Sequence, residues 1–265
     1  MIATAARRSL FALALPALLP HRATAVEPTL DALLARHLSL PPDGIARVDY
    51  AAWKGDRNAL ASLHAWIAGA ATSQPSAMPR AEAFAFWTNL YNALTLSVVL
   101  DRYPVGSIRD IHSTGVPFDP RQFFGPWRTR LVTVEGRRMS LDDIEHGTMR
   151  PTYRDPRLHY AVNCASLGCP NLRPRAWRAA TLEADLDEAA RAYINHPRGV
   201  GVLSDGRLRV SSIYHWFRED FGDSEAGVLA HLARYAAPAL AARLHGARIA
   251  GHDYDWTLND VAGRR

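Results

Sequence analysis

The sequence predicts an α+β fold: a single compact domain in which several helices pack on a small antiparallel or mixed sheet. Three observations predict it. Helical periodicity recurs along the whole 265-residue chain, and two short alternating runs turn at Glu135-Gly136 and Asp205-Gly206. Helices and hairpins also interleave irregularly, without the strict strand–helix alternation that marks a parallel sheet.

In chain order, Arg7 and Arg8 precede an apolar run from Leu10 to Leu19, followed by Ala23-Thr24-Ala25 before Val26. A positive n-region, an apolar h-region and an A-x-A site together predict an export signal over residues 1–25. The run is far shorter than the ~20 residues a bilayer-spanning helix needs, so no stable membrane anchor is expected. The paired arginines with Ser9-Leu10-Phe11 partly resemble a twin-arginine signal, which leaves that route and ordinary secretion both open. The expected location is periplasmic or secreted.

The formal charge of +5 includes Arg7, Arg8 and Arg22, and no acid precedes Glu27, so the chain from Val26 carries only about +2. No cluster of Lys and Arg with interleaved aromatics follows, so no nucleic-acid partner is expected.

Leu30 to Leu40 has helical spacing, Val48 and Tyr50 sit in a short alternating run, and Arg57 to Ala70 is helical again. Thr72 to Pro79 is a Ser/Pro linker. Arg80 to Leu100 forms a long, mostly apolar helix closed by Tyr103-Pro104. After the first hairpin, Ser140 is placed to cap a helix, with Asp143 three residues on as a capping-box carboxylate. "RLHYAV" (157–162) reads as a strand, Thr181 to Ile194 as an amphipathic helix, and "GVLSDGRLRV" as the second hairpin. Helices at Ile213–Phe217 and Val228–Leu244, then a strand at "ARIAG", complete the chain.

Four segments carry candidate chemistry. Asn89 and Asn92 share a face of the long helix, either as structural amides bonded to backbone or as donors to a substrate carbonyl. Asp142 and His146 stand four apart on a helix, an acid that could orient an imidazole so that its other nitrogen serves as base. Against that, His146 precedes Gly147 and fits equally a cation near a helix C-terminus.

The third segment, "RLHYAVNCASLGCPNL", holds His159 and the chain's two cysteines, Cys164 and Cys169. As a strand it separates His159 from Cys164 by about 16 Å and points them to opposite faces, which removes His159 as a base for that thiol. Three readings remain. Cys164 and Cys169 form a disulfide, as an exported cysteine pair would. Cys164 is a nucleophile with His146 as base and His215 or His252 in reserve. Or a cysteine binds zinc, which would have to recruit distant histidines to reach four ligands. The fourth segment, "HDYDWTLND", is acidic but lacks EF-hand spacing; like the aromatic "SSIYHWFREDFG", it reads mainly as structure.

Together these motifs resemble a known family, the domain of unknown function numbered 547. The stretches that carry the resemblance are "AFWTNLYNALTL", "YPVGSIRDI", "SLDDIEHGTMRP", "DPRLHYAVNCASLGCPNL", "YHWFREDFG" and "YDWTLN", between Ala85 and Asn259. The resemblance implies one compact domain over residues 75–265, with 26–74 as an N-terminal helical extension, and it implies no substrate. Its signature positions retained here include Tyr91, Glu145, Arg150, Asp155, Arg157, Asn163 and Ser166 besides the Asn, Asp, His and Cys residues above.

The functional expectation is an exported thiol-dependent enzyme of the acyl-transfer or amide- or ester-hydrolysing kind, similar in logic, and potentially in fold, to papain-like and transglutaminase-like proteins. Cys164 would attack a carbonyl, His146 move the proton, and Asp142 or Glu145 orient the ring. The Ala165 N–H with Asn89 or Asn92 would hold the oxyanion, and Tyr91, Asn163 and His159 complete the substrate-binding set. The partner is then a small-molecule or peptide substrate, with no cofactor. The competing expectations are a non-catalytic binding or envelope-scaffold module stapled by Cys164–Cys169, and a zinc-dependent hydrolase.

Overall fold

The computed structural model describes residues 29–111 and 125–263; the expected export signal lies outside them. The α+β class holds, with helices dominating three small sheets among the described residues.

Thr29 caps helix α1 (Leu30–His37), whose Leu30, Leu33 and Leu34 are buried at helical spacing. Strands β1 (Leu38–Ser39) and β2 (Arg47–Val48) form a short antiparallel ladder. Tyr50, expected in an alternating run, instead opens helix α2 (Tyr50–Gly55), because the Asp49 side chain accepts from the Ala52 amide and starts a helix there. Helix α3 (Arg57–Ala71) follows, capped by Asp56.

Helix α4 (Arg80–Arg102) is the spine. By length and apolarity it could cross a membrane, yet its apolar side chains are spent on the protein's own core. One stretch of it, including Leu96, Val99 and Leu100, packs with Leu33, Trp53 and Leu63 of the preceding helices. Another, including Phe84, Leu90 and Tyr91, packs with Leu141, Ile144 and Leu158. The residues before 75 therefore share a core with those after it.

The predicted hairpin is present as β3 (Val132–Val134) and β4 (Arg137–Met139). Glu135 and Gly136 both have positive φ, 49° and 77°, the pairing that suits the right-handed twist of the flanking strands. The capping box is also present: the Ser140 amide donates to Asp143 Oδ2 at 2.8 Å, and the Asp143 amide donates to Ser140 Oγ at 3.2 Å. It starts α5 (Leu141–Ile144), which widens into a π segment (Glu145–Met149), where the Arg150 amide reaches five residues back to the Glu145 carbonyl, before α6 (Arg150–Tyr153).

The strand expected at "RLHYAV" is absent. Pro156–Tyr160 is a 3-10 helix, started by Asp155, whose side chain accepts from the Arg157 amide, and by Pro156 at its first position. Proline there needs no amide and already has helical φ, so the Asp-Pro pair overrides the β-favouring composition. Arg157 then ties this turn to helix α7 (Leu182–Ile194) through Glu183 at 2.6 Å and Asp187 at 2.9 Å.

The third core lies against β5 (Val200–Val202), β6 (Leu208–Ser211) and β7 (Ile249–Asp253), a mixed sheet in which β5–β6 is antiparallel and β6–β7 parallel. The crossover from β6 to β7 carries α8 (Ile213–Trp216), α9 (Glu225–Tyr235) and α10 (Pro238–Leu244). The single helix expected over Val228–Leu244 is thus two, because Pro238 starts a new helix and cannot continue the old one.

Candidate active site

Three parts of the chain meet at a cleft of about 300 Å³. The first is the loop after the 3-10 turn. Asn163, buried, ties it together: its Nδ2 donates to the Pro170 carbonyl at 2.7 Å and its Oδ1 accepts the Ala165 amide at 2.8 Å. Ala165 is held at φ 60°, a left-handed conformation that a non-glycine residue adopts only under such constraint. Gly168 is required by close approach, since a Cβ there would lie 2.9 Å from the Asp255 backbone. The chain after β7 runs beside this loop, with the Leu167 and Gly168 amides donating to the Thr257 and Asp255 carbonyls, both at 2.8 Å.

This packing brings the two thiols together. The Cys164 amide donates to Cys169 Sγ at 2.9 Å, and the Tyr254 hydroxyl lies 3.1 Å from both sulfurs. Ser166 Oγ is 3.4 Å from Cys164 Sγ and 3.2 Å from the Tyr254 hydroxyl. Cys169 is buried, whereas Cys164 is only partly so, and neither is in a disulfide. Burial opposes ionising either thiol. For Cys169 the hydrogen bonds from the Cys164 thiol, the Tyr254 hydroxyl and the Cys164 amide outweigh it and lower the thiol to about 6. For Cys164, burial and the neighbouring Cys169 sulfur push the thiol well up. The pair thus shares one negative charge, resting on Cys169. Burial and the two sulfurs also raise the Tyr254 phenol, which keeps it an O–H donor.

The second part is the α5–π segment. His146 lies with Nε2 4.0 Å from Asp142 Oδ1 and Nδ1 4.0 Å from Glu145 Oε1, so both carboxylates flank the ring. Glu145 is buried and faces the Tyr91 phenol, which burial and that carboxylate hold well above its usual range. Asp142, Glu145, His146 and Tyr91 all line the cleft with Cys164. Among the described residues no imidazole is within hydrogen-bond reach of Cys164 Sγ, whose partners are Ser166, Tyr254 and Cys169.

His159 also lines the cleft, and the strand-based separation from Cys164 fails with the strand. Its Nε2 is 2.6 Å from Asp220 Oδ2, its Nδ1 is 3.7 Å from Glu145, and its ring stacks on Phe217 at 4.3 Å. Burial opposes ionisation of Asp220, but His159 and Arg150 together bring its carboxyl down to about 2.

Three expected substrate-binding residues lie elsewhere. Asn89 exchanges both hydrogen bonds with the Trp177 backbone, at 2.9 and 2.8 Å. Asn92 donates to the Ala161 carbonyl at 3.0 Å and accepts the Asn163 amide at 2.8 Å, while Asn163 is spent on the loop. These amides tie backbone to backbone, and the Ala165 amide expected for an oxyanion is taken by Asn163. The reserve histidines also sit away from the cleft: His215 stacks on His252, whose Nδ1 is 2.9 Å from Ser212 Oγ. No group of three or more His, Cys, Asp or Glu among the described residues is arranged to hold a metal ion.

The third part was read from sequence as structure alone. Trp216 of "SSIYHWFREDFG" and Tyr254 and Trp256 of "HDYDWTLND" form an aromatic wall of the cleft, joined by Trp127, while Phe217 lines it stacked on His159. The one sequence signal was spacing: Tyr254 and Trp256 flank Asp255 and so share a face of an extended run.

Residues 75–194 match the model of a family described as "Protein of unknown function, DUF547". That stretch belongs to the DUF547 family. No curated protein and no solved structure shows significant similarity to the chain. The DUF547 match contains both cysteines, His146, His159, Asp142 and Glu145, but ends before Trp216, Phe217, Tyr254, Trp256 and Asp220. The cleft is therefore built jointly by the DUF547 stretch and the chain beyond it.

Proposed function

We propose that the protein is a thiol-dependent acyl-transfer or amide- or ester-hydrolysing enzyme, with Cys164 as nucleophile and His146 as the proton carrier. One observation carries the reading: a partly exposed thiol and an imidazole flanked by two carboxylates, from separate elements, open on the same cleft. The export-type N-terminus supports a place of action in the periplasm or outside the cell.

The chemistry balances with groups at hand. Cys164 passes its proton to the Cys169 thiolate as its sulfur attacks the carbonyl carbon, and the Tyr254 hydroxyl donates to the oxyanion. The C–O or C–N bond breaks as protonated His146 gives the leaving group a proton. Water then attacks the thioester, returning a proton to His146, and the departing Cys164 sulfur recovers its own from Cys169. Asp142 and Glu145 hold the imidazolium in place before it gives up its proton and after it regains one.

Cys164→Ala is expected to abolish turnover of activated esters and amides with circular dichroism unchanged; unchanged turnover in that variant overturns the assignment. A second reading rests on the interaction between the Cys164 and Cys169 thiols, an approach that would also suit a structural disulfide in a binding or scaffold module. The mass of unreduced native protein separates them: two missing hydrogens favour the staple, a full complement the free thiols.

A further inference from the structure

We infer that the cleft accepts the hydrocarbon chain of an acyl ester or thioester, seating the chain on its aromatic wall. The inference rests on the thiol reading above and names its substrate class. The charged side chains lining the cleft are paired: Arg128 with Asp142, Glu145 beside His146, and His159 with Asp220. The remaining lining is largely aromatic and apolar. Trp216, Tyr254 and Trp256 pack against one another with ring centres 4.7 to 5.6 Å apart, and Trp127 meets Trp256 edge-on at 5.7 Å. Trp216 keeps 43% of its surface exposed beside them, a large apolar surface left uncovered in the folded chain.

Tyr254 joins this wall to the chemistry, because its ring belongs to the aromatic pile and its hydroxyl lies 3.1 Å from Cys164 Sγ. A chain lying on the wall therefore brings its carbonyl end to the thiol. A sugar would need donors and acceptors for several hydroxyls along its length, and the wall offers few; a peptide would need an edge of free backbone groups. The uniform gain an apolar wall offers is burial of methylenes, about fourfold in affinity for each one buried.

Two measurements on the full chain test this. The Cys164→Ala variant, titrated with acetate, butyrate, hexanoate and octanoate by tryptophan fluorescence, should bind more tightly by about fourfold per methylene while the chain stays on the wall. A flat series overturns the inference, as does tighter binding of a cello- or chito-oligosaccharide than of octanoate. Wild-type kcat/KM on the matching p-nitrophenyl esters should rise along the same series, and Trp216→Ala should lower octanoate turnover more than acetate turnover. Binding that lengthens with the chain but with no turnover of any ester overturns the thiol reading and leaves the acyl site standing. Turnover of acetate and octanoate alike does the reverse.

Discussion

The backbone amide of Cys164 donates to the sulfur of Cys169 at 2.9 Å, inside a loop of only six residues. That contact, with the Tyr254 hydroxyl 3.1 Å from the same sulfur, stabilises negative charge on a buried atom. The reduced protein should accordingly lose thiol reactivity toward iodoacetamide only as the pH falls through about 6. Cys169→Ser should move that midpoint up to or beyond the ordinary thiol value of about 8.5. A wild-type midpoint above about 8 would show that the pair does not share its charge as described.

Tyr254→Phe isolates the hydroxyl. The ring remains packed at 4.9 Å from Trp216 and 4.7 Å from Trp256, so the fold should hold. A hydrogen bond to a charged group contributes about 1.5–3 kcal/mol. Its loss should raise the labelling midpoint by about 1–2 pH units. An unmoved midpoint would show that the hydroxyl does not hold the thiolate.

Asn92→Ala tests the tie between the long helix and the thiol loop. Its amide serves the Ala161 carbonyl and the Asn163 amide, both buried, and truncation leaves both without a partner. Unfolding free energy in urea should drop by about 2–4 kcal/mol. Asn92→Asp, which keeps the acceptor alone, should fall between. A loss under about 1 kcal/mol for the alanine variant would mean that water replaces the amide.

His231 should make the fold sensitive to mild acid. Burial first, and then the nearby Arg234 charge, lower its imidazole from 6.5 to about 4, and its Nε2 lies 2.9 Å from the Tyr160 hydroxyl. Between those values the unfolded chain binds the proton and the folded chain does not. Stability is therefore complete above pH 6.5, declines as the pH falls toward 4, and loses no more from this residue below that. The loss should approach roughly 3 kcal/mol, read as the difference in urea unfolding between pH 7 and pH 4.5. An equal loss in His231→Gln would assign the slope to other groups.

Some of this architecture was legible because its causes are local. The capping box at Ser140 and Asp143 and the positive-φ turn at Glu135-Gly136 act over two to four residues. Local chemistry was also misread, at Asp49, at Pro238 and, with most consequence, at Asp155-Pro156, where the cap and the proline outrank the β-branched and aromatic residues that follow. With that strand went the argument that had set His159 apart from Cys164.

The sequence by itself determined the α+β class, the DUF547 motif set, the placement of Asp142 near His146 and the two-cysteine loop, since each follows from spacing along one segment. Only the tertiary structure decided that Asn89, Asn92 and Asn163 bind backbone, that Asp220 holds His159, and that Trp216 and Trp256 line one cleft with the thiol. Apart from the bonds of Asn163 within its own loop, those outcomes depend on which segments pack side by side across about 50 to 90 residues of chain. Burying apolar surface sets that choice, and it carries no short-range signature in the order of residues.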